Sequence, residues 1–276
     1  MIERDDLRAS VAAGILTEAQ AASLISLADS RRGARENLEP GDEPFELFKG
    51  FNEIFIVVGL AILTTGWVGI VTFLALDNAT RLAQVLIWSS LAGAVILWLL
   101  AEYFVRRRRM VAPAIALTLL FAGNAAYGFS GAMAEVFMVA RGDNSSLPLP
   151  LTYATAALLV FWWRFRVPFA LAVIALAAFA ISILIAANTA GAPESTRELF
   201  LLSADGPFAL ITLGLGVVVF VAAMAFDMSD PHRVTRRAEN GFWLHVIAAP
   251  ALVNTIALSL LNSDASGSVL VLSLIH

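Results

Sequence analysis

The chain has 276 residues, of which 59% are hydrophobic and only 14% charged, and its mean hydropathy is +0.80. A soluble domain usually carries about 25% charged residues, so this composition excludes a water-soluble globule and predicts an integral membrane protein. The net charge is −4, and the imbalance lies in the first 50 residues, which hold ten acidic and six basic side chains. Such a charge distribution argues against nucleic-acid binding. Cysteine is absent, which excludes disulfides, thiolate metal sites and iron–sulfur clusters.

The first thirty residues (1–30) predict a cytoplasmic helical hairpin. Leu7 and Val11 lie at helical spacing behind two aspartates, and Thr17–Gln20 has the form of a capping box that begins a second helix. Residues 31–50 mix charge, glycine and proline, and we interpret them as a polar linker and juxtamembrane segment. Two roles are open for the hairpin, a solvated tether or a docking element for a partner.

Residues 51–276 predict an all-α, polytopic transmembrane helix bundle. Seven apolar runs come close to the roughly 20 residues that cross a hydrocarbon core; they cover 54–76, 83–105, 110–139, 149–163, 167–188, 207–228 and 242–262. The third run would reach about 45 Å as one helix, so we expect it to tilt, or to bend near Gly123, Gly128 and Gly131. Val269–Ile275 begins a partial eighth run, either an interfacial segment or, as we favour, the start of a span in a longer protein.

The arginines predict the orientation of the bundle. Nine follow the second, fourth and sixth runs, whereas three lie in the opposite loops. Because cytoplasmic loops carry the excess of arginine, the N-terminus is predicted to be cytoplasmic. The nine are Arg106, Arg107, Arg108, Arg109, Arg164, Arg166, Arg233, Arg236 and Arg237, and the three are Arg81, Arg141 and Arg197.

The string VAAGILTEAQAASLI at 11–25, followed by a polar linker and serial spans, resembles an uncharacterised bacterial family whose members are known only as predicted membrane proteins. The stretch FWLHVIAAP at 242–250 is similar to segments of bacterial hypothetical membrane proteins. The resemblance implies a helical hairpin before a multi-pass bundle in the bacterial inner (cytoplasmic) membrane. It implies no activity.

Small residues form faces on two of the runs. Gly59, Gly66 and Gly69 share one face of the first run, and alanine recurs along 170–180 in the fifth. Because small residues let membrane helices approach closely, these faces predict helix packing, either within the chain, with a protein partner or by self-association. A substrate path lined by small residues is the alternative.

Two arginine turns look alike in sequence, YFVRRRRMVAPAIAL at 103–117 and FWWRFRVPFALAVIAL at 161–176. A duplicated hairpin would favour a transporter. The crossing of a membrane interface produces the same aromatic, arginine and proline pattern without duplication, and both interpretations are open.

The third run carries the candidate polar site, which consists of Asn124, Tyr127 and Glu135 at helical spacing. Carboxylates within a membrane usually face the bundle interior or a water-filled cavity. Glu135 precedes Arg141 by six residues, which is about 9 Å along a helix. It can therefore serve in proton-linked transport or reach headgroup water, and we expect the second, with its side chain beside Arg141 or loop residues.

Lower-ranked candidates lie in the seventh run. His245 occupies its first turn, and Asn254 follows Pro250, whose missing amide leaves backbone carbonyls that Asn254 can bind. The sequence at Gly128–Gly131 resembles the nucleophile turn of rhomboid proteases, with His245 as its possible base. The predicted topology places Ser130 and His245 at opposite ends of the bundle, which argues against that pairing.

Three acidic residues lie at the cytoplasmic ends of their runs, Glu53, Glu102 and Asp227. We expect them to pair with the arginine-rich turns, because ionisable side chains of membrane helices usually pair with one another.

These features predict a non-enzymatic membrane protein, a scaffold or accessory subunit of a membrane complex in contact with the lipid bilayer. The alternative is a secondary transporter or exporter with a polar path near Asn124 and Glu135. An enzyme is the least favoured class, since the sequence offers no metal cluster, nucleophile–base pair or phosphate loop. The sequence predicts no cofactor, no metal and no nucleic-acid partner.

Overall fold

The computed structural model describes residues 4–36, 52–78, 81–190, 207–230 and 236–262. These parts of the chain are helical and contain no strand. The helices are α1 Arg4–Ala12, α2 Glu18–Glu36, α3 Asn52–Asp77, α4 Leu82–Ala101, α5 Ala112–Met133, α6 Val136–Val139, α7 Pro148–Phe165, α8 Phe169–Ala190, α9 Pro207–Ser229 and α10 Arg236–Asn262. α4 continues directly into a π-helical turn, Glu102–Arg107.

Among the described residues, five helices are long and apolar enough to cross a membrane, which agrees with the all-helical membrane fold that the composition predicts. They are α3, α4 with its π-helical turn, α5, α8 and α9. α7 and α10 lie where the fourth and seventh spans are predicted but are not among these five. The count of seven crossings therefore stays a prediction, and the eighth run lies outside the described residues.

The N-terminal residues form two helices, α1 and α2, joined by a turn in which Gly14 has φ +70°. The capping box is confirmed, since the Thr17 N–H donates to Gln20 Oε1 at 3.0 Å and the Gln20 N–H donates to Thr17 Oγ1 at 3.3 Å. α2 continues to Glu36, past the predicted start of the linker at residue 31. Arginine and alanine favour helix, and this local preference extends α2 into the predicted linker; 37–50 lies outside the described residues.

The predicted run at 110–139 is not one helix: α5 continues through Gly123, Gly128 and Gly131, and the helix breaks at Ala134. α5 ends at Met133, and Ala134 has an extended backbone with φ −86° and ψ 149° before α6 begins. The Glu135 N–H donates to Ser146 Oγ at 3.1 Å. A loop side chain thus satisfies an amide that a continued helix would have bonded to its own backbone, which explains why the chain can leave the helix here.

α5 lies at the centre of the first five bundle helices, where it contacts α3, α4, α7 and α8. Aromatic side chains fill this core: Phe121 stacks on Phe161 with ring centroids 4.7 Å apart, and Trp98 lies 5.0 Å from Phe165. Such pairs contribute about 0.5–1.5 kcal/mol each beyond the area they bury. Direct packing of this kind matters in lipid, which supplies no hydrophobic drive for helix association.

α9 and α10 form the most extensively contacting pair, and both pack on α8. Their shared face is built from small residues, among which Ala223, Ala248 and Ala251 are completely buried. Small side chains let the two backbones approach closely. α9 and α10 therefore form a tight hairpin beside the aromatic core.

Basic turns gather at one end of the bundle, called here the arginine-rich end: Arg106–Arg109 after α4, and Arg164 and Arg166 at the end of α7. Contacts between Phe169 and Trp243 at 4.9 Å bring the start of α10 to the same end. The opposite end, where α5 gives way to α6 and α7 begins, is called the far end.

Candidate functional site

Asn124 joins α5 to α4. Its Nδ2 donates to the Ser90 carbonyl at 2.9 Å, and Ser90 Oγ donates to the Asn124 carbonyl at 3.3 Å. Gly93 leaves the room for this contact, because a Cβ at that position would lie against the Asn124 carboxamide. Interhelical hydrogen bonds in membranes contribute about 0.6 kcal/mol each. The structure therefore gives Asn124 a clamping contact between two helices.

The glycines of the predicted polar stripe face α4 in the same way. A Cβ at Gly128 would clash with the side chain of Ser90, and a Cβ at Gly131 would clash with Leu86. The stripe thus consists of close helix contacts along α4 and α5. These contacts give no support for an open polar channel between α4 and α5.

Tyr127 and Glu135 do not form one cluster with Asn124. Tyr127 is 40% exposed and has no hydrogen bond to any described residue. Glu135 follows Asn124 by eleven residues, which is about 16 Å along a helix, and it lies in the extended segment at the far end. Glu135 is exposed, and its backbone N–H donates to Ser146 Oγ at 3.1 Å; the expected place of its side chain beside Arg141 or loop residues stays a prediction.

Glu135 lies at a cleft of about 410 Å³ between the start of α4 and the α5–α6 junction. Leu82, Leu86 and Met138 contribute apolar surface to its lining, and Glu135 contributes the one charged side chain. Its carboxylate makes no hydrogen bond or ion pair with the described residues, Arg141 included. Since apolar pockets with a few placed polar groups are typical ligand sites, this cleft is the first candidate site.

The loop beyond the cleft is fastened by short polar contacts. Asp143 Oδ1 accepts a hydrogen bond from the Ser145 N–H at 2.9 Å, and Gly142 has φ +90°. Hydrogen bonds from the backbone and side chain of Ser145 lower the pKa of Asp143 below its usual 3.8. The Asn188 Nδ2 donates to the Ser145 carbonyl at 3.5 Å, so this loop also contacts α8.

At the arginine-rich end, Glu102 confirms its predicted pairing. Glu102 Oε1 accepts hydrogen bonds from Arg106 at 2.7 Å and from Arg164 at 2.9 Å. The bridge links α4 to α7, and its side chains are roughly half exposed. Exposed ion pairs contribute about 0.2–1 kcal/mol each, so Glu102 chiefly sets which turns lie next to each other.

Glu53 has a different partner from the one expected. It is 3% exposed, and its Oε2 accepts hydrogen bonds from the Val111 N–H at 3.1 Å and the Ala112 N–H at 2.8 Å. These amides lie at the N-terminus of α5, where a negative charge is favoured by the helix dipole. Glu53 thus caps α5 and fastens α3 to it.

Asp227 and His245 form a second candidate site, a hydrogen-bonded pair between α9 and α10. Asp227 Oδ2 lies 2.9 Å from His245 Nε2, and the two side chains are 25% and 30% exposed. Gly241 packs directly against the Asp227 carboxylate, which leaves no room for a larger residue there. The neighbouring Asn240 is buried, and its Oδ1 has no hydrogen-bond partner within the described residues.

Sequence reasoning placed Asp227 and His245 at the same end of consecutive spans but did not pair them. That shared position was the available signal. His245 was instead weighed as a base for Ser130, which lies in the last turn of α5 before the far end, and Asp227 was assigned to the arginines. The backbone of Asn254 lies in α10, which continues through Pro250; the predicted bonding of the Asn254 side chain stays a prediction.

Within the parts of the chain that the structure describes, no group of three His, Asp or Glu side chains can hold a metal ion. Comparison with protein families, curated proteins and solved structures gave no match for this chain.

Proposed function

We propose that this chain is a non-enzymatic, multi-pass component of a bacterial inner-membrane complex, a scaffold or accessory subunit that binds a helix of another protein along α3. The proposal includes a cytoplasmic N-terminus, seven crossings, and membership of the uncharacterised family that 11–25 resembles. The observation that carries it is the exposed glycine face of α3. Five apolar helices support the membrane setting.

α3 is held to the rest of the chain along one narrow line. Its buried residues are Glu53, Leu60 and Val71. At about 100° per residue, Gly66 and Gly69 lie on roughly the opposite side of the helix. Apart from the backbone of α3 itself, no atom of the described residues lies within 4 Å of a Cβ built at either glycine or at Gly59.

The glycines of α4 and α5 show what such residues do when a helix covers them. Gly93 and Gly128 admit Asn124 and Ser90 at distances that a Cβ would prevent. The glycines of α3 offer the same close approach, and none of the described residues occupies it. Because membrane helices associate through small-residue faces, the α3 face fits a partner helix.

Cysteine cross-linking tests this assignment, and the natural absence of cysteine makes single variants unambiguous. Gly66→Cys and Gly69→Cys are expected to cross-link to another protein in native membranes. Val68→Cys is the matched control, since Val68 is 55% exposed on the same helix but off the glycine face. A product of twice the chain mass would identify self-association, whereas no cross-link at 66 and 69, or an equal yield at 68, would contradict the proposal.

Secondary transport is the second candidate, and the Asp227–His245 pair favours it. A carboxylate and an imidazole in hydrogen-bond contact are a common element of proton relays in membrane proteins. A polar transport path near Asn124 and Glu135 is less favoured, because the Asn124 carboxamide donates a hydrogen bond to the Ser90 carbonyl. Proton flux into liposomes under an applied voltage tests this candidate. Transport requires a flux above that of empty liposomes that falls in His245→Phe and is unchanged in Tyr127→Phe.

A further inference from the structure

The cleft at the far end combines apolar lining residues with one charged side chain, that of Glu135. α4 provides Leu82 and Leu86, and α6 provides Met138. The volume of about 410 Å³ lies within the roughly 300–1,000 Å³ of small-molecule pockets. It can hold part of an acyl chain, but it is too small for a whole lipid.

The floor is formed by a close contact that leaves the cleft open above it. Leu86 is buried against Gly131, where a Cβ would clash with the leucine. Just beyond this contact α5 ends at Met133, and the extended backbone of Ala134 takes the chain out of the helix. The cleft is therefore a consequence of the break between α5 and α6.

One acidic side chain lines the cleft, and one basic residue is the chain neighbour of a lining residue. Glu135 lines the cleft and is exposed. Arg81 immediately precedes Leu82 at the start of α4 and is also exposed. Neither side chain forms an ion pair with a described residue.

We infer that this cleft binds a phospholipid with a primary ammonium headgroup, phosphatidylethanolamine, with its ammonium on Glu135, its phosphate toward Arg81 and acyl-chain carbons against Leu82, Leu86 and Met138. The charge pattern selects this occupant. An anionic lipid would place like charge beside Glu135, and a trimethylated headgroup cannot donate a hydrogen bond to its carboxylate. The inference is independent of the partner proposed for α3, since the cleft lies on α4, α5 and α6.

Native mass spectrometry of the purified full chain in mild detergent tests the inference by titration with separate lipids. Phosphatidylethanolamine is expected to bind about fivefold more tightly than phosphatidylglycerol, the upper range for an exposed ion pair. Glu135→Gln should remove this preference, whereas Asp143→Asn, a control carboxylate in the neighbouring loop, should retain it. Ala132→Phe fills the cleft and should weaken both lipids.

A photoreactive phosphatidylethanolamine provides a check on the unaltered chain, because it should label Leu82 or Met138. The inference is overturned if the wild-type chain shows no preference for phosphatidylethanolamine, if Glu135→Gln keeps the preference, or if labelling maps elsewhere. Dodecylammonium supplies the ammonium and apolar chain without a phosphate. Its binding in preference to phosphatidylethanolamine would identify a site for cationic amphiphiles and would also overturn the assignment to a lipid.

Discussion

α3 and α5 are both long apolar helices, but the chain uses them differently. In the apolar 18-residue stretch of each helix, 11% of the residues of α3 and 39% of the residues of α5 are buried. Both contain several glycines. Those at Gly128 and Gly131 are covered by α4, whereas Gly59 and Gly66 are not covered by any part of the chain that the structure describes. The same glycine pattern gives internal packing in α5 and an exposed surface in α3. The role of a glycine face in a membrane helix therefore depends on which helices pack against it.

The largest effect is expected from a substitution in the glycine face of α5 that α4 covers. Gly128→Leu places a side chain where Ser90 lies, and overpacking of this kind costs about 3 kcal/mol. We expect a lower thermal midpoint in detergent and loss of the α4–α5 contact. Gly66→Leu is the matched change on α3, where there is open space, so it should leave the midpoint of the purified chain unchanged. Equal destabilisation by both variants would refute the contrast between the two faces.

The next effect concerns the polar attachment of α3 to α5 through Glu53. Glu53→Ala removes the carboxylate that accepts two amides at the N-terminus of α5, at an expected cost of about 2 kcal/mol. Unfolding of the purified chain in detergent measures it. Glu102→Ala, which removes more exposed ion pairs, should cost less than about 1 kcal/mol. The reverse order of the two variants would show that α3 is attached elsewhere.

A smaller effect separates the members of the predicted polar stripe. Asn124→Ala deletes a side-chain hydrogen bond to α4 and should destabilise the chain by about 0.6 kcal/mol. Tyr127→Phe removes a hydroxyl that has no partner among the described residues and should change nothing. Stability measured for both variants checks this, and a larger loss for Tyr127→Phe would point to a role that the described contacts do not explain.

The smallest effect concerns the loop that follows α6. Because its hydrogen bonds from Ser145 lower the pKa of Asp143 below 3.8, the ionised form stabilises this turn at pH values above 3.8, and the stabilisation is lost as the pH falls through the lowered pKa. Hydrogen exchange of the Ser145 amide, corrected for its intrinsic pH dependence, should show protection that disappears in acid. Asp143→Asn should weaken that pH dependence; an unchanged profile would exclude Asp143 as its source.

Much of the fold could be predicted because it depends on local chemistry. The capping box at Thr17, the start of α9 at Pro207 and the pairing of Glu102 with an arginine turn all follow from residue types at fixed spacing. The end of α5 could not be predicted in this way. Ala134 has a high helix preference, and the hydrogen bond from Glu135 to Ser146 depends on a loop eleven residues away.

The candidate site was predicted only in part for the same reason. Asn124 was correctly recognised as an unusual polar residue, but its partner depends on how α4 is rotated about its axis. Composition does not specify that rotation. The Asp227–His245 pair was missed because each residue was considered with a different partner, although both positions were known to share one end of the bundle.

The left-handed turn at Arg166 has a consequence for engineering the chain. Its φ is 51°, a conformation that glycine adopts easily and that costs another residue about 1–2 kcal/mol. Glycine at 166 would relieve that strain, but it would also remove the guanidinium that lies 5.6 Å from the Trp162 ring centroid. It would remove, too, one of the nine arginines from which a cytoplasmic N-terminus is predicted. A glycine chosen for thermal stability would therefore be expected to increase the fraction of chains inserted in the wrong orientation.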